Sequence, residues 1–287
     1  MTLTLTLLLG AVIGLSLGAL GGGGSILTVP ALVYVLSQSA HAATTGSLVI
    51  VGITALIGAI GHARAGHVRW ATGIIFGIVG VGASYAGTAA NRDVNPNALL
   101  LAFAALMIIA AVTMLRRSTK AETPACEAPA HSGSGAQPRG SGAQTATALA
   151  APATTRLHQH RVRTAVVAKV VVAGLVVGFL TGFLGVGGGF VIVPALVMAL
   201  DFPMTIAVGT SLLVIALNSA AALAARSGAE TFHWAIIIPF TLAAIAGSVA
   251  GEKIAGRVGG ASLSRAFAGL LIAVAIYVGI RSATGLA

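Results

Sequence analysis

Apolar stretches recur along this chain at lengths that match a lipid bilayer. Long runs occupy residues 3–20, 42–61, 70–90, 98–115, 165–184, 206–225, 232–250 and 262–280, and shorter ones residues 26–36 and 190–200. Crossing roughly 30 Å of hydrocarbon takes about 20 helical residues. Each long run therefore predicts a transmembrane helix, because in lipid every backbone N–H and C=O must be satisfied within its own segment. The order long, glycine break, short, long, long, long occurs twice, and adding 164 to the residue number superposes the two copies. The register holds without a gap from Gly14 to Arg117, with Ser47 on Ser211, Trp70 on Trp234, Gly87 on Gly251 and Phe103 on Phe267. Roughly 30 of these 104 pairs are identical, against about ten expected from so narrow a composition. The expected fold is an all-α membrane protein of two homologous halves, each with four long hydrophobic helices and one short glycine-interrupted segment.

Composition narrows the class. The chain is 57% hydrophobic and 8% charged with a mean hydropathy of +0.99, whereas a soluble domain carries about 25% charged residues. Residues 3–20 lack the basic leader of a signal peptide, and their sequence recurs deep in the chain, so they are read as a helix that stays. The net charge of +10 raises the question of nucleic acid, but 7 of the 16 Lys and Arg lie between Arg116 and Arg163. That is the pattern of a cytoplasmic loop obeying the positive-inside rule. The domain reading is a first transmembrane repeat at 1–117, a disordered cytoplasmic linker at 118–163 and a second repeat at 164–287. The linker is rich in Ala, Gly, Ser, Thr and Pro, with no apolar face. The partners are then a lipid bilayer and a small solute, with no nucleic acid. Oligomeric state stays open, a homo-oligomer included. The location implied is a bacterial inner (plasma) membrane. Cys126 is the only cysteine, which leaves no disulfide and no thiolate metal cluster.

Two orientations of the halves remain open. Arg64 and Arg69 make the loop after 42–61 basic, and in the second half the bias moves to the following loop, with Lys253, Arg257 and Arg265 against Glu252. Opposite bias in matching loops is what inverted repeats show. Inversion needs an odd number of crossings per half, so the short segment must complete one. A re-entrant short segment gives parallel halves instead. The basic residues inside number 13 of 16 for the first arrangement and 12 of 16 for the second, so charge alone does not separate them, and inversion is the preferred reading.

The glycine breaks carry the candidate chemistry. Residues 18–33 read GALGGGGSILTVPALV, and the second copy repeats the break as GVGGGFVIVP at 185–194. Each helical glycine costs roughly 1 kcal/mol relative to Ala, and unwound backbone at membrane depth is tolerated only where it lines a cavity or is buried in protein. Interrupted segments at matching places in two halves are the best sequence pointer to a transporter's binding site. Freed N–H groups and the dipole of the following helix favour an anion. The candidate substrate-binding set is Gly21, Gly22, Gly23, Gly24 and Ser25 of the first break, Gly185, Gly187, Gly188 and Gly189 of the second, and the polar residues Thr44, Thr45, Ser47, Thr210, Ser211 and Asn218 of the flanking long segments. Hydroxyls and amides can donate to oxyanions, although Ser and Thr also bond their own helix carbonyls. Isolated glycines such as Gly14 and Gly18 are read as packing sites. The acids, Asp93, Glu122, Glu127, Asp201, Glu230 and Glu252, all fall in or beside expected loops, as do His62, His67 and His233. A cation would find little to bind. No catalytic constellation, metal cluster or cofactor motif is present in the sequence.

The duplicated pattern GLSLGALGGGGSILTVPAL and GFLTGFLGVGGGFVIVPAL, with GTSL and a Trp after the third segment of each half, resembles the TauE/SafE sulfite exporter family, also called the toluene sulfonate uptake permease group. The resemblance implies a non-enzymatic, multi-pass secondary transporter for sulfite or an organosulfonate, without a cofactor. The alternatives are a passive anion channel, a carrier of another small carboxylate or oxyanion, and a scaffold whose glycines serve packing alone.

Overall fold

The structure is a computed structural model and describes residues 2–90, 96–121, 154–184, 189–225 and 233–283. Among these residues it is helical throughout apart from short connections. The first half runs α1 (Thr2–Leu20), α2 (Gly23–Pro30), a π-helical turn (Ala31–Val35), α3 (Ala40–Arg64), α4 (Trp70–Ala90) and α5 (Pro96–Ala121). The second runs α6 (Thr154–Leu184), α7 (Gly189–Ala199), α8 (Met204–Ala225), α9 (Trp234–Arg257) and α10 (Gly260–Ala283). Among the described residues, 7 helices are long and apolar enough to cross a membrane. The protein is a multi-pass membrane protein, and both short segments are helical, as their length and composition require. Helix enters the interval read as linker from both ends, α5 running to Ala121 and α6 beginning at Thr154. Once the following span nucleates a helix, Thr, Arg, Leu, His and Gln extend it at little cost.

The duplication is visible in the backbone. Pro30 has no N–H to give its helix, and the chain widens there into the π turn before ending at Ser37, whose φ is 53°. The equivalent residue, Asp201, also has a φ of 53°. Each closes its helix with the same wide backbone bond, Gln38 N–H to Leu32 O at 3.1 Å and Phe202 N–H to Leu196 O at 3.2 Å. This is the left-handed C-terminal cap in which the residue after the turn bonds back across it. Ser39 then starts α3 by accepting from the Ala42 N–H at 3.3 Å.

Glycines spaced by four bring helices into backbone contact. Gly10, Gly14 and Gly18 of α1 lie on Phe240, Ala244 and Ser248 of α9, and Gly247 and Gly251 of α9 lie on Ala11 and Leu15. The same interface recurs with the halves exchanged: Gly174, Gly178 and Gly182 of α6 lie on Phe76, Gly80 and Ser84 of α4. Without a hydrophobic drive between helices in lipid, close van der Waals approach is what holds them, and small residues permit it. The expectation that Gly14 and Gly18 serve packing is met.

Contact order fixes relative direction. In α1 and α9, as in α4 and α6, residue numbers rise together, so the members of each pair are parallel. Gly46, Gly58 and Gly61 of α3 meet Ile237, Ser248 and Glu252 of α9, also in parallel, and Gly73 and Gly77 of α4 meet Leu213 and Leu217 of α8 in parallel. Between α3 and α8 the numbers run oppositely, with Gly52 on Ser219 and Gly58 on Leu212. The two repeat-equivalent helices are therefore antiparallel.

These interfaces predict a sharp contrast among glycines. A Cβ at Gly14 would overlap the Ala244 backbone, whereas one at Gly82 of α4 meets nothing within 4 Å. Gly14→Ala should lose about 1–3 kcal/mol through overpacking, read as a lower melting temperature of the detergent-solubilised protein. Gly82→Ala should be neutral or stabilising by up to about 1 kcal/mol.

Candidate functional site

The first break is two residues wide, Gly21 and Gly22. Gly21 adopts a φ of 75°, a left-handed conformation that L side chains rarely take, and its N–H still bonds Leu17 O at 2.8 Å. The chain then turns back along α1, so that Gly24 of α2 packs on Ile13 and Leu17. α2 begins after Gly22 with no side-chain cap, which leaves its first amides to other partners.

The two breaks meet. The α-carbon of Gly22 lies directly against the Gly189 carbonyl and the Phe190 α-carbon, and Gly189 lies against the Ser25 side chain. Ser25 and Gly189 are repeat equivalents. Gly21 faces the Ser211 hydroxyl, Val193 and the Val208 α-carbon. The structure thus brings Gly21, Gly22, Ser25, Gly189 and Ser211 together. Gly185, Gly187 and Gly188 lie outside the described residues. Gly23 and Gly24 are buried as the first residues of α2, packed on Leu270 and on α1.

The hydroxyls are turned inward. Ser25 donates to Gly22 O at 2.8 Å, Ser47 to Thr44 O at 2.7 Å and Ser211 to Val208 O at 2.8 Å. The Ser47 and Ser211 bonds are the same bond in the two repeats. What these side chains offer a solute is therefore their oxygen lone pairs, and the donors must come from backbone and amide. Thr45 is buried and Thr44 half-buried in the first turns of α3. Thr210, fully buried, accepts from the Arg69 N–H at 3.2 Å and so ties α8 to the loop before α4 rather than facing the breaks.

Asn218 occupies a different level. It lies seven positions beyond Ser211 on α8, about 10 Å along the axis and one turn past Ile215, which touches Gly189. Its side-chain carbonyl is buried without a partner. Its repeat equivalent, Thr54, has a hydroxyl that is also buried without a partner. The antiparallel register of α3 on α8 puts residue 54 beside residues 216 and 217, next to Asn218 in the chain. Sequence reasoning missed Thr54, although adding 164 to its number leads directly to Asn218.

Two further corrections concern charge. Glu252 lies in α9, and its carboxylate rests against the α-carbon of Gly61. His62 lies in the last turn of α3, is 3% exposed, and its Nε2–H donates to Gly18 O at 3.1 Å. The loop expectation failed for both because α3 and α9 run further than their apolar cores. A cavity of about 190 Å³ lies here, lined by His62, His67, Thr205, Val208, Glu252 and Lys253 among others. It adjoins the first break through Val208, which touches Gly21. Among the described residues no group of three or more His, Cys, Asp or Glu could hold a metal.

Similarity to other proteins agrees with this architecture. The family model described as sulfite exporter TauE/SafE matches residues 6–278. A probable membrane transporter protein of Xylella fastidiosa (strain Temecula1) is 33% identical over 98% of this chain and 96% of its own length. The probable membrane transporter protein YunE of Bacillus subtilis is 25% identical over 92% of this chain and 89% of its own. No solved structure matches the chain. With paired glycine breaks meeting inside a duplicated helical bundle, and with a family match over nearly its whole length, the chain belongs to the TauE/SafE sulfite exporter family of membrane transporters.

Proposed function

We propose that the protein is a secondary transporter that moves a small sulfur-containing anion, such as sulfite or an organosulfonate, across the bacterial inner membrane. The observation that carries this reading is the contact of the two breaks, Gly22 on Gly189 and Phe190. Backbone at this position leaves room for nothing larger than hydrogen, and the helix starts beside it supply amide dipoles that favour negative charge. Thr54 and Asn218, buried and unpartnered between α3 and α8, add polar groups a hydrated or oxygen-rich solute can satisfy. The family description, sulfite exporter, supports the substrate class.

The halves are read as inverted repeats about an axis across the helices, because their equivalent helices α3 and α8 are antiparallel. With that geometry the ends of α3, α5 and α9 share one side with the start of α6, and this side collects Arg64, Arg69, Arg116, Lys253 and Arg257. It is then the cytoplasmic side.

Titration of the purified protein with sulfite, thiosulfate, taurine and sulfoacetate tests the substrate class. At least one should bind saturably. Gly22→Val should abolish that binding, while Gly82→Ala, which touches nothing, should keep it. Silence toward every one of these anions removes the proposal.

Thiol labelling tests the orientation in intact spheroplasts. Native Cys126 should react with a membrane-impermeant maleimide only after permeabilisation. In a Cys126→Ala background, cysteines placed at Asp93 and at Glu230 should both react from outside. Opposite accessibility of these two loops would establish parallel halves instead.

A further inference from the structure

We propose that His62 and Glu252 form a proton-binding site at the cytoplasmic mouth of the substrate path, so that anion movement is coupled to a proton. The inference rests on the anion-transport reading and adds its coupling ion.

The geometry begins with the ring of His62. Because its Nε2–H donates to Gly18 O at 3.1 Å, the neutral ring carries its proton on Nε2. Nδ1 is then a bare lone pair, and it is buried with no partner. A buried acceptor without a donor is a place for water or for a proton. The ring lines the 190 Å³ cavity, and Glu252 lines both this cavity and an open cleft of about 660 Å³ with Ile57, Arg64 and Val249. Glu252 thus borders both spaces, the second of them beside Arg64.

The charged surroundings are few. α9 contributes Glu252 and Lys253, α3 itself contributes Arg64 in the adjoining cleft, and the following loop contributes His67, whose ring centroid is 6.2 Å from that of His62. Among the described residues facing the ring, α1 presents only the Gly18 carbonyl, α8 presents Thr205, Val208 and Gly209, and α10 presents Leu263, none of them ionisable. Glu252 is the one anion among these groups, so a proton arriving on Nδ1 makes an imidazolium beside a carboxylate.

The site breaks the internal symmetry of the chain. Gly10, Gly14 and Gly18 recur as Gly174, Gly178 and Gly182, whereas the equivalents of His62, Glu252 and Gly61 are Arg226, Thr88 and Ala225. Gly61 leaves open the space that the Glu252 carboxylate occupies. The titratable pair is thus confined to one copy.

Unpartnered polar atoms also connect the pair to the candidate anion site. His62, Gly58 and Thr54 follow one another at four-residue steps on one face of α3. Gly58 faces the Ser248 hydroxyl, which is buried without a partner, as are Thr54 Oγ1 and, across on α8, Asn218 Oδ1. This row of His62, Ser248, Thr54 and Asn218 leads from the cavity, which adjoins Gly21, to the level of Asn218 at about 6 Å per helical step. In the coupling step a water-borne proton bonds to the His62 Nδ1 lone pair and offsets the charge of an anion entering below; release of the proton to water restores the neutral ring.

The test uses the full-length protein. In micelles, ¹⁵N-histidine spectra, assigned with His62→Gln, should show His62 protonated at Nε2 alone at alkaline pH and gaining a second proton as pH falls through the imidazole range. Glu252→Gln should displace that titration, and Glu252→Asp should restore it. In proteoliposomes, Glu252→Gln should lose accumulation of ³⁵S-thiosulfate, ³⁵S-sulfite or ³⁵S-taurine driven by a pH gradient. It should retain exchange of internal for external anion, which needs no net proton movement. A His62 ring that never takes the second proton, a titration that Glu252→Gln leaves in place, or driven accumulation that persists in this variant or requires Na⁺ would overturn the proposal. Absence of exchange in the unmodified protein for all three anions would instead remove the transport reading, with the His62 titration still deciding whether the pair binds a proton.

Discussion

Peptide-on-peptide contact between Gly22 and Gly189 is the constraint on which the remaining architecture depends. Two chain segments can approach so closely only where one of them presents no Cβ to the other, and at membrane depth backbone can unwind only where protein encloses it. The contact of Gly22 with Gly189 therefore sits in the interior of the bundle, where both residues are buried. This forces α1 and α6 to end there and α2 and α7 to begin there, and the long helices must wrap the junction. The exchanged interfaces do so, α1 on α9 and α4 on α6, each held by a four-residue glycine spacing that lets backbones touch.

The same arrangement separates symmetric from asymmetric features. Repeat-equivalent residues share rare backbone angles at Ser37 and Asp201, inward hydroxyl bonds at Ser47 and Ser211, and unpartnered polar atoms at Thr54 and Asn218. Features that both copies keep describe the scaffold and the region near its axis. The His62, Glu252 and Gly61 group has no counterpart, and it lies beside Arg64 and Lys253. The two mouths of the protein are thus chemically unlike, although the helices leading to them are built alike.

Much of this was legible in the sequence because it was written twice. The offset of 164, the run lengths and the paired glycine clusters lead to the order of helices in each half. Gly14 and Gly18 could be read as packing residues from spacing alone. The direction of the hydroxyls could not, because a serine in a helix chooses between its own carbonyl and a solute by rotamer, which leaves no trace in composition. Glu252 and His62 were misplaced for a related reason. Hydropathy marks where apolar residues stop, but α3 and α9 continue past that point. Their neighbourhood exists only because α9 of the second half runs parallel to α1 and α3 of the first, a relation between distant segments that no local pattern encodes.

The exchanged interfaces also limit how such a protein can move. If the two repeats rocked as rigid bodies along the boundary between them, α1 would have to leave α9 and α4 would have to leave α6. Those are the places where Gly14, Gly18, Gly178 and Gly182 seat backbone on backbone. Parting them would open long strips of close-packed contact with no hydrophobic gain in return, since lipid is as apolar as the helices it would touch. The repeat boundary is therefore not a mechanical boundary. Helix pairs that borrow one member from each half behave as units, and the surfaces left to slide are those where side chains rather than backbones meet. The facing sides of α3, α8 and α10 around the His62 cavity are such surfaces, and there Leu212, Val208 and Leu263 fill the space with groups that can change rotamer.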